Sequence, residues 1–263
     1  MPELPEVEAV ARRLRRAAPW AEIVSCGQFR PTTMQGGERA VGQRLDAVDR
    51  RGKNLILRLS GGAFLRVHLK MTGNLTVLTD WRLRRSTVRA WFALDDGRAV
   101  ALDDPRALGR ITFHEAAEEA ILFQRLGPEP FSGEFTLDHL IAAAGRTSKP
   151  IKLLLMEQRA VVGLGNIYAA EALFQAGIHP AKAASRIGRR KLAGLHAAIG
   201  DVLKLAMGSA EAAYDRPGGF SEDEVYPVAV YGREGEECPR CKGCVKRVPQ
   251  GGRSTYYCPK CQK

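Results

Sequence analysis

The spacing of apolar and polar positions divides the chain into two regimes. Between Ala21 and about Thr112, short runs rich in Val, Leu, Ile and Phe dominate, at Asn54–Leu59, Ala63–Leu69, Ala90–Leu94 and Ala99–Leu102. Tight turns at Gly61-Gly62 and Asp95-Asp96-Gly97 join them, which predicts closely spaced antiparallel strands in a sandwich or barrel. A Pro/Gly-rich segment, Leu126–Pro130, then reads as a linker, and the apolar period lengthens. Helices are expected over Leu137–Ala144, Ile151–Arg159, Ile167–Ala176 and Lys191–Met207, and a flexible loop over Ser209–Ser221 around Arg216-Pro217-Gly218-Gly219. From Val230 short strands return. Ahead of all this, Val7, Val10, Ala11 and Leu14 recur at helical spacing. Acids lead them and Arg12, Arg13, Arg15 and Arg16 trail, an order the helix dipole favours. An α+β protein follows, with an N-terminal helix packed on an antiparallel β-sandwich and a helical second half.

The length, 263 residues, suits two domains, and 45% apolar residues mark a globular chain. No apolar run reaches the length of a membrane span, and Met1 is followed by acids rather than a basic-then-apolar leader. A soluble, intracellular protein is expected. The net charge of +11 points towards a polyanionic partner, nucleic acid first.

Five of the six cysteines, Cys238, Cys241, Cys244, Cys258 and Cys261, crowd the tail, and Cys26 stands apart. Two Cys-x-x-Cys knuckles, Cys238/Cys241 and Cys258/Cys261, fit a closed four-thiolate site for one structural Zn2+. Cys244 offers an alternative ligand, and an iron–sulfur cluster would need a fourth-cysteine pattern that does not match. Between the knuckles, Lys246-Arg247 and Gly251-Gly252-Arg253 predict a hairpin with a cationic tip.

At the other end, loss of Met1 would bare the secondary amine of Pro2. An α-amino group is about 300-fold more often neutral at pH 7 than a lysine, so it can attack a carbonyl-like carbon without burial. Other positions are less telling alone. Lys53 after Arg51-Gly52 reads as a surface lysine and His68 as a satisfied strand histidine. Gly163-Leu164-Gly165-Asn166 reads as a helical hairpin turn, with Asn166 able to cap the next helix.

Together, however, these stretches resemble the formamidopyrimidine-DNA glycosylase/endonuclease VIII family of base-excision repair enzymes. The matching blocks are PELPEVE at 2–8, RRGKNLIL at 50–57, HLKMTGNL at 68–75, DPRALGR at 104–110, LGPEP at 126–130 and EQRAVVGLGNIYAAEALFQAGIHP at 157–180. YGREG and the tail ending GGRSTYYCPKCQ complete the series. The resemblance implies an N-terminal catalytic helix and sandwich over 1–125 and a linker over 126–133. It implies a helix-two-turns-helix domain with a lesion-capping loop over 134–222, and a β-hairpin zinc finger over 223–263.

It also implies a bifunctional glycosylase and abasic-site lyase that acts on oxidised bases in damaged double-stranded DNA. Such an enzyme works as a monomer without a small-molecule cofactor, in a cytoplasmic, nucleoid-associated setting. By the resemblance, Pro2 is the nucleophile, Glu3 moves protons, Glu6 is a second carboxylate of the catalytic end, and Lys53 and Arg253 serve the chemistry at neighbouring phosphates. Asn166, His68 and Lys152 are implied on the DNA-facing surface. Met71, Arg106 and Leu108 are implied as fillers of the gap left by an extruded nucleotide. An alternative is a lesion- or abasic-site-binding protein that has lost excision, and a generic zinc-ribbon module is a third reading. The sequence departs from the family at Leu108, where an aromatic is usual, at Lys70 for a glycine, at Glu157 for an aspartate, and across Ser209–Ser221.

Overall fold

A computed structural model of the chain describes residues 2–17, 20–214 and 226–263. It opens on helix α1 (Leu4–Arg16). Strands β1 (Ile23–Gln28), β2 (Met34–Gln35), β3 (Leu45–Arg51), β4 (Asn54–Leu59), β5 (Phe64–His68), β6 (Asn74–Leu78), β7 (Val88–Leu94), β8 (Ala99–Asp103) and β9 (Arg110–His114) follow. After the short helix α2 (Glu119–Phe123) come α3 (Leu137–Gly145), α4 (Ile151–Met156), α5 (Asn166–Gln175) and α6 (Arg189–Tyr214). The hairpin β10 (Lys246–Gln250) and β11 (Arg253–Tyr257) closes the order.

Two compact units emerge. One comprises Met1–Gln124 and Ala210–Glu222, and the other Arg125–Ser209 and Asp223–Lys263. In the first, the strands form a four-stranded sheet, β1-β7-β8-β6, and a five-stranded sheet, β2-β9-β5-β4-β3. Pairing is antiparallel, apart from the short β2, which runs parallel to β9. Strand β7 alternates buried and half-exposed positions along its whole length, the period-two pattern of a sheet with one face in the core. Strand β4 departs from alternation and is buried at Asn54–Leu57 and Leu59. The reason is α1, which packs on β3 and β4 of one sheet and β6 of the other and buries Leu4, Val7, Val10, Ala11 and Leu14. The trailing arginines of α1 do more than answer the helix dipole. Arg13 donates to Asn74 Oδ1 (2.6 Å) and Leu75 O (2.9 Å), and Arg15 to Val48 O (2.7 Å), so they strap the helix to both sheets. Within the same unit Glu211 accepts from Arg12 (2.7 Å) and Arg16 (2.8 Å).

The second unit has an apolar core drawn from α3 to α6, with Leu140, Leu155, Leu164, Leu173, Leu195 and Leu203 fully buried. The helix expected to reach Arg159 stops at Met156, because Gln158 takes a left-handed conformation (φ 62°) and cannot continue it. The Gln158 side chain instead organises the two turns that follow. Its Oε1 accepts from Gly163 N (2.9 Å), and its Nε2 donates to Met156 O (3.1 Å) and Leu164 O (2.6 Å). The segment expected as a linker is packed onto these turns. Gly127 N donates to Gln158 O (2.9 Å), and a Cβ on Gly127 would lie 2.0 Å from Arg159 O.

Candidate functional site

Pro2 and the acids that follow it are enclosed. Pro2 is buried, Glu3 has no exposed surface and Glu6 is 3% exposed. Glu3 N donates to Glu6 Oε2 at 2.7 Å, while the Glu3 carboxylate takes the Glu6 backbone N–H, a reciprocal box that fixes both acids at the first turn of α1. One turn further on, Glu8 accepts from Arg50 (2.8 Å), Arg15 (3.0 Å) and Arg12 (3.2 Å). Burial alone would raise the Glu8 carboxyl, but the Arg50 and Arg15 guanidinium groups outweigh it and hold the group below its usual range. Arg50 also donates to Gly52 O (3.0 Å), in the β3–β4 turn where Lys53 stands. Glu8 and Arg50 therefore tie the Lys53 turn to the helix that presents Pro2. Neither residue was singled out from sequence as part of the site, although both lie in blocks that carry the resemblance.

His68 ends β5 and is half-buried. Its Nδ1 accepts the Lys70 backbone N–H at 3.0 Å, which leaves Nε2 to carry the proton of the neutral ring. Burial and the cations Lys70, Arg66 and Lys53 push its pKa down to about 4. The chain then turns through Met71, half-buried, and Gly73, which is packed so closely that a Cβ would lie 2.5 Å from Leu69 O. Arg106 and Leu108 are exposed on the loop between β8 and β9, with Ala107 between them buried and left-handed (φ 54°). Asp104, fully buried, holds this loop. Its Oδ2 accepts from Leu108 N and Gly109 N, both at 2.7 Å, and its Oδ1 from Arg106 N (3.2 Å) and the Thr72 hydroxyl (2.5 Å).

In the second unit, Asn166 opens α5 and Arg253 opens β11 with its side chain exposed. For Lys152, implied on a DNA-facing surface by the resemblance, the structure shows a buried position. The side chain has no exposed surface. Its ammonium donates to Asn166 Oδ1 (2.5 Å), Thr255 Oγ1 (2.6 Å) and Ser254 O (3.3 Å). Asn166 Nδ2 in turn donates to Ser254 O (3.0 Å). A buried ammonium persists only where acceptors replace its water, and these come from the start of α5 and from β11. Lys152 thus fixes Asn166 against the strand that begins at Arg253. A further residue missed from sequence is Glu171 on α5, 2% exposed, whose carboxylate takes the N–H groups of Ala229 (2.8 Å), Val230 (3.0 Å) and Tyr231 (2.8 Å) and so seats the chain before the cysteine knuckles.

The thiol sulfurs of Cys238, Cys241, Cys258 and Cys261 all lie within 4.8 Å of one another, with Cys238–Cys261 at 3.9 Å and Cys241–Cys258 at 3.5 Å. Four thiolates at ordinary zinc–sulfur distances from one tetrahedral ion would stand about 3.8 Å apart, so these residues fit Zn2+. Cys244 is exposed and lies outside this group, which resolves the choice of ligands that spacing left open. The ion would cross-link the knuckles and brace the β10–β11 hairpin, whose tip turns through Gly251 (φ 57°) and Gly252 (φ 73°).

Known proteins share this arrangement from end to end. Residues 1–111 match the family model of the formamidopyrimidine-DNA glycosylase N-terminal domain, residues 126–215 that of the formamidopyrimidine-DNA glycosylase H2TH domain, and residues 235–263 a zinc finger found in FPG and IleRS. The formamidopyrimidine-DNA glycosylase of Ruegeria pomeroyi is 37% identical over 283 residues, and that of Geobacter sulfurreducens 38% over 277, with all of this chain and all of each relative covered. Among solved structures, a MutM in complex with DNA containing carbocyclic 8-oxo-G superposes with a TM-score of 0.90 at 31% identity and full coverage of both chains. The Lactococcus lactis enzyme bound to abasic-site DNA gives 0.88 at 30%, covering 99% of each chain. The MutM (FPG) protein of Thermus thermophilus gives 0.86 at 36%, covering 99% of this chain and 98% of that one. Matched by these domain models and by relatives along its full length, the chain belongs to the formamidopyrimidine-DNA glycosylase family.

Proposed function

We propose that the chain removes oxidised bases from duplex DNA and then cleaves the resulting abasic site, with Pro2 as the nucleophile of both steps. Once Met1 is removed, the Pro2 nitrogen attacks C1′ of the damaged nucleotide and the base departs with a proton. The C1′–O4′ bond of the sugar then breaks as O4′ takes a proton, which leaves the nitrogen–carbon bond as an iminium and acidifies the C2′ protons. Loss of one of them expels the 3′-phosphate, and a second elimination expels the 5′-phosphate. Glu3 is the group that moves protons, and Glu6 fixes it through the shared box. Lys53, Asn166 and Arg253 take phosphates around the extruded nucleotide, and Met71, Arg106 and Leu108 fill the space it leaves. Leucine at position 108 forgoes the stacking, about 1–3 kcal/mol, that an aromatic would gain on a base. A lesion preference distinct from that of relatives with an aromatic there follows from this difference. Among the described residues no helix is long and apolar enough to cross a membrane. A cytoplasmic, nucleoid-associated place is part of the same proposal.

The observation that supports this reading most directly is the Glu3–Glu6 box, buried at the head of α1 beside Pro2 and braced through Glu8 and Arg50 to the Lys53 turn. Borohydride trapping on an abasic-site duplex tests it. A covalent adduct is expected from the mature protein and none from Pro2→Gly. Binding without trapping by the wild type would instead favour a lesion-binding protein that has lost excision.

A further inference from the structure

In the first unit, several arginines are paired with carboxylates. Arg12, Arg15, Arg50, Arg58 and Arg98 each lie within 3.2 Å of a carboxylate oxygen. Arg66 on β5, Arg110 on β9 and Lys70 just after β5 stand outside those pairs. Among the described residues no carboxylate pairs with Arg66, Lys70 or Arg110, and none lines the cavity of about 470 Å³ that they share. Strand register brings them together. Strands β5 and β9 pair Arg66 with Thr112 and His68 with Arg110, and β2 sets Gln35 beside Thr112. Alternate residues of a strand face one way, so Arg66 and His68 stand together opposite the buried Leu65 and Val67. Lys70 follows immediately, in a left-handed conformation (φ 57°).

The donors are held but unspent. Arg66 Nε is anchored on Asn54 Oδ1 (2.8 Å), and its two terminal nitrogens have no acceptor among the described residues. Arg110 Nη1 is anchored on Leu108 O (3.1 Å) and Gly109 O (2.8 Å), which leaves Nη2 without one. His68 offers Nε2–H, since its other nitrogen is occupied by the Lys70 N–H. Guanidinium groups present a planar fork that matches two oxygens of one phosphate. Half-buried and facing other cations, such a fork is stabilised only by an anion from outside the chain.

We propose that this basin, centred on Arg66 and Arg110, is a subsite for one further backbone phosphate of the DNA, beyond the phosphates taken by Lys53, Asn166 and Arg253. The inference rests on the reading that the chain acts on duplex DNA. A duplex phosphate is favoured over a free anion because Arg110 follows directly on the Arg106–Leu108 loop. A backbone opened at that loop is therefore delivered to the basin. The class of ligand is a phosphate ester oxygen pair. Neither Arg66 nor Arg110 takes part in the excision chemistry.

The test is the salt dependence of affinity for a duplex carrying a stable tetrahydrofuran abasic-site analogue. It is read by fluorescence anisotropy for the wild type, Arg66→Met, Arg110→Met and Arg66→Lys. Each phosphate contact contributes about 0.9 to the slope of log K against log salt. Arg66→Met and Arg110→Met should each flatten the slope by up to about one contact, and Arg66→Lys should restore most of it. Borohydride trapping at saturating DNA should stay within about twofold of wild type, and matched melting temperatures show that the sheet is intact. Slopes equal to wild type in both methionine variants overturn the proposal. Inorganic phosphate at constant ionic strength provides the second arm. If it raises the melting temperature of the wild type but not of Arg66→Met, while the DNA slopes remain equal, the basin takes a free anion and the DNA assignment is wrong. Failure of the wild type to trap abasic DNA would count against the proposed function itself, and the slopes would not bear on that.

Discussion

The Thr72 hydroxyl donates to the buried carboxylate of Asp104 at 2.5 Å, joining the turn that carries Met71 to the loop that carries Arg106 and Leu108. Three backbone N–H groups of that loop share the same carboxylate. The three side chains proposed to enter the DNA are therefore set by one residue that does not itself reach it.

Asp104→Ala should cost roughly 2–4 kcal/mol in urea denaturation, since each buried N–H left without an acceptor costs about 1–3 kcal/mol. Excision of an intact lesion should fall at least about tenfold, and trapping on a ready-made abasic site should fall less. Asp104→Asn, which keeps one carbonyl oxygen, should lie between. Equal loss in both assays would mean that the loop is not what Asp104 serves.

Lys152 gives a sharper contrast. Its ammonium is spent on Asn166, Thr255 and Ser254, so Lys152→Met should destabilise the second unit by about 2–3 kcal/mol through unpaired buried acceptors. DNA affinity should drop because Asn166 and the hairpin lose their common anchor, yet the salt slope should not change. A slope reduced by about one would instead reveal a direct phosphate contact.

Glu8 makes part of the stability pH-dependent. Its folded pKa lies below the unfolded value of about 4.3, so the stabilisation is present above that value and is lost as pH falls through the folded pKa. Wild type should exceed Glu8→Gln by on the order of 1 kcal/mol at pH 7, after allowing for partial solvent screening. The gap should narrow as pH falls below about 4.3 and vanish once Glu8 is protonated in the folded protein. A gap that persists at acid pH would show that the Glu8 charge is not its source.

For the metal, Cys244→Ala should leave one zinc per chain by elemental analysis, because its thiol lies outside the tetrad. Cys258→Ala should lose the ion and much of the DNA affinity, while urea unfolding of the sandwich stays close to wild type. Retained zinc in the Cys258 variant would reassign the ligands.

Much of the architecture was legible from local pattern. The short apolar runs became β4, β5, β7 and β8, and the longer period became α3, α5 and α6. Those signals depend on which face of a single element is apolar, and that information lies in consecutive residues. The helix expected to reach Arg159 ended early, because the backbone at Gln158 is set by the turns it caps rather than by the apolar spacing around it.

What the sequence determined by itself was the inventory of groups: a proline at position 2 followed by acids, two cysteine knuckles at zinc spacing, and an excess of cations. Tertiary structure decided which of them are spent and which are free. Lys152 and Arg66 are both cations amid apolar neighbours, yet one meets an asparagine and a threonine from distant elements while the other is left facing a cavity. Electrostatic partners are chosen by strand register and helix docking across long stretches of chain, and no local periodicity encodes that choice.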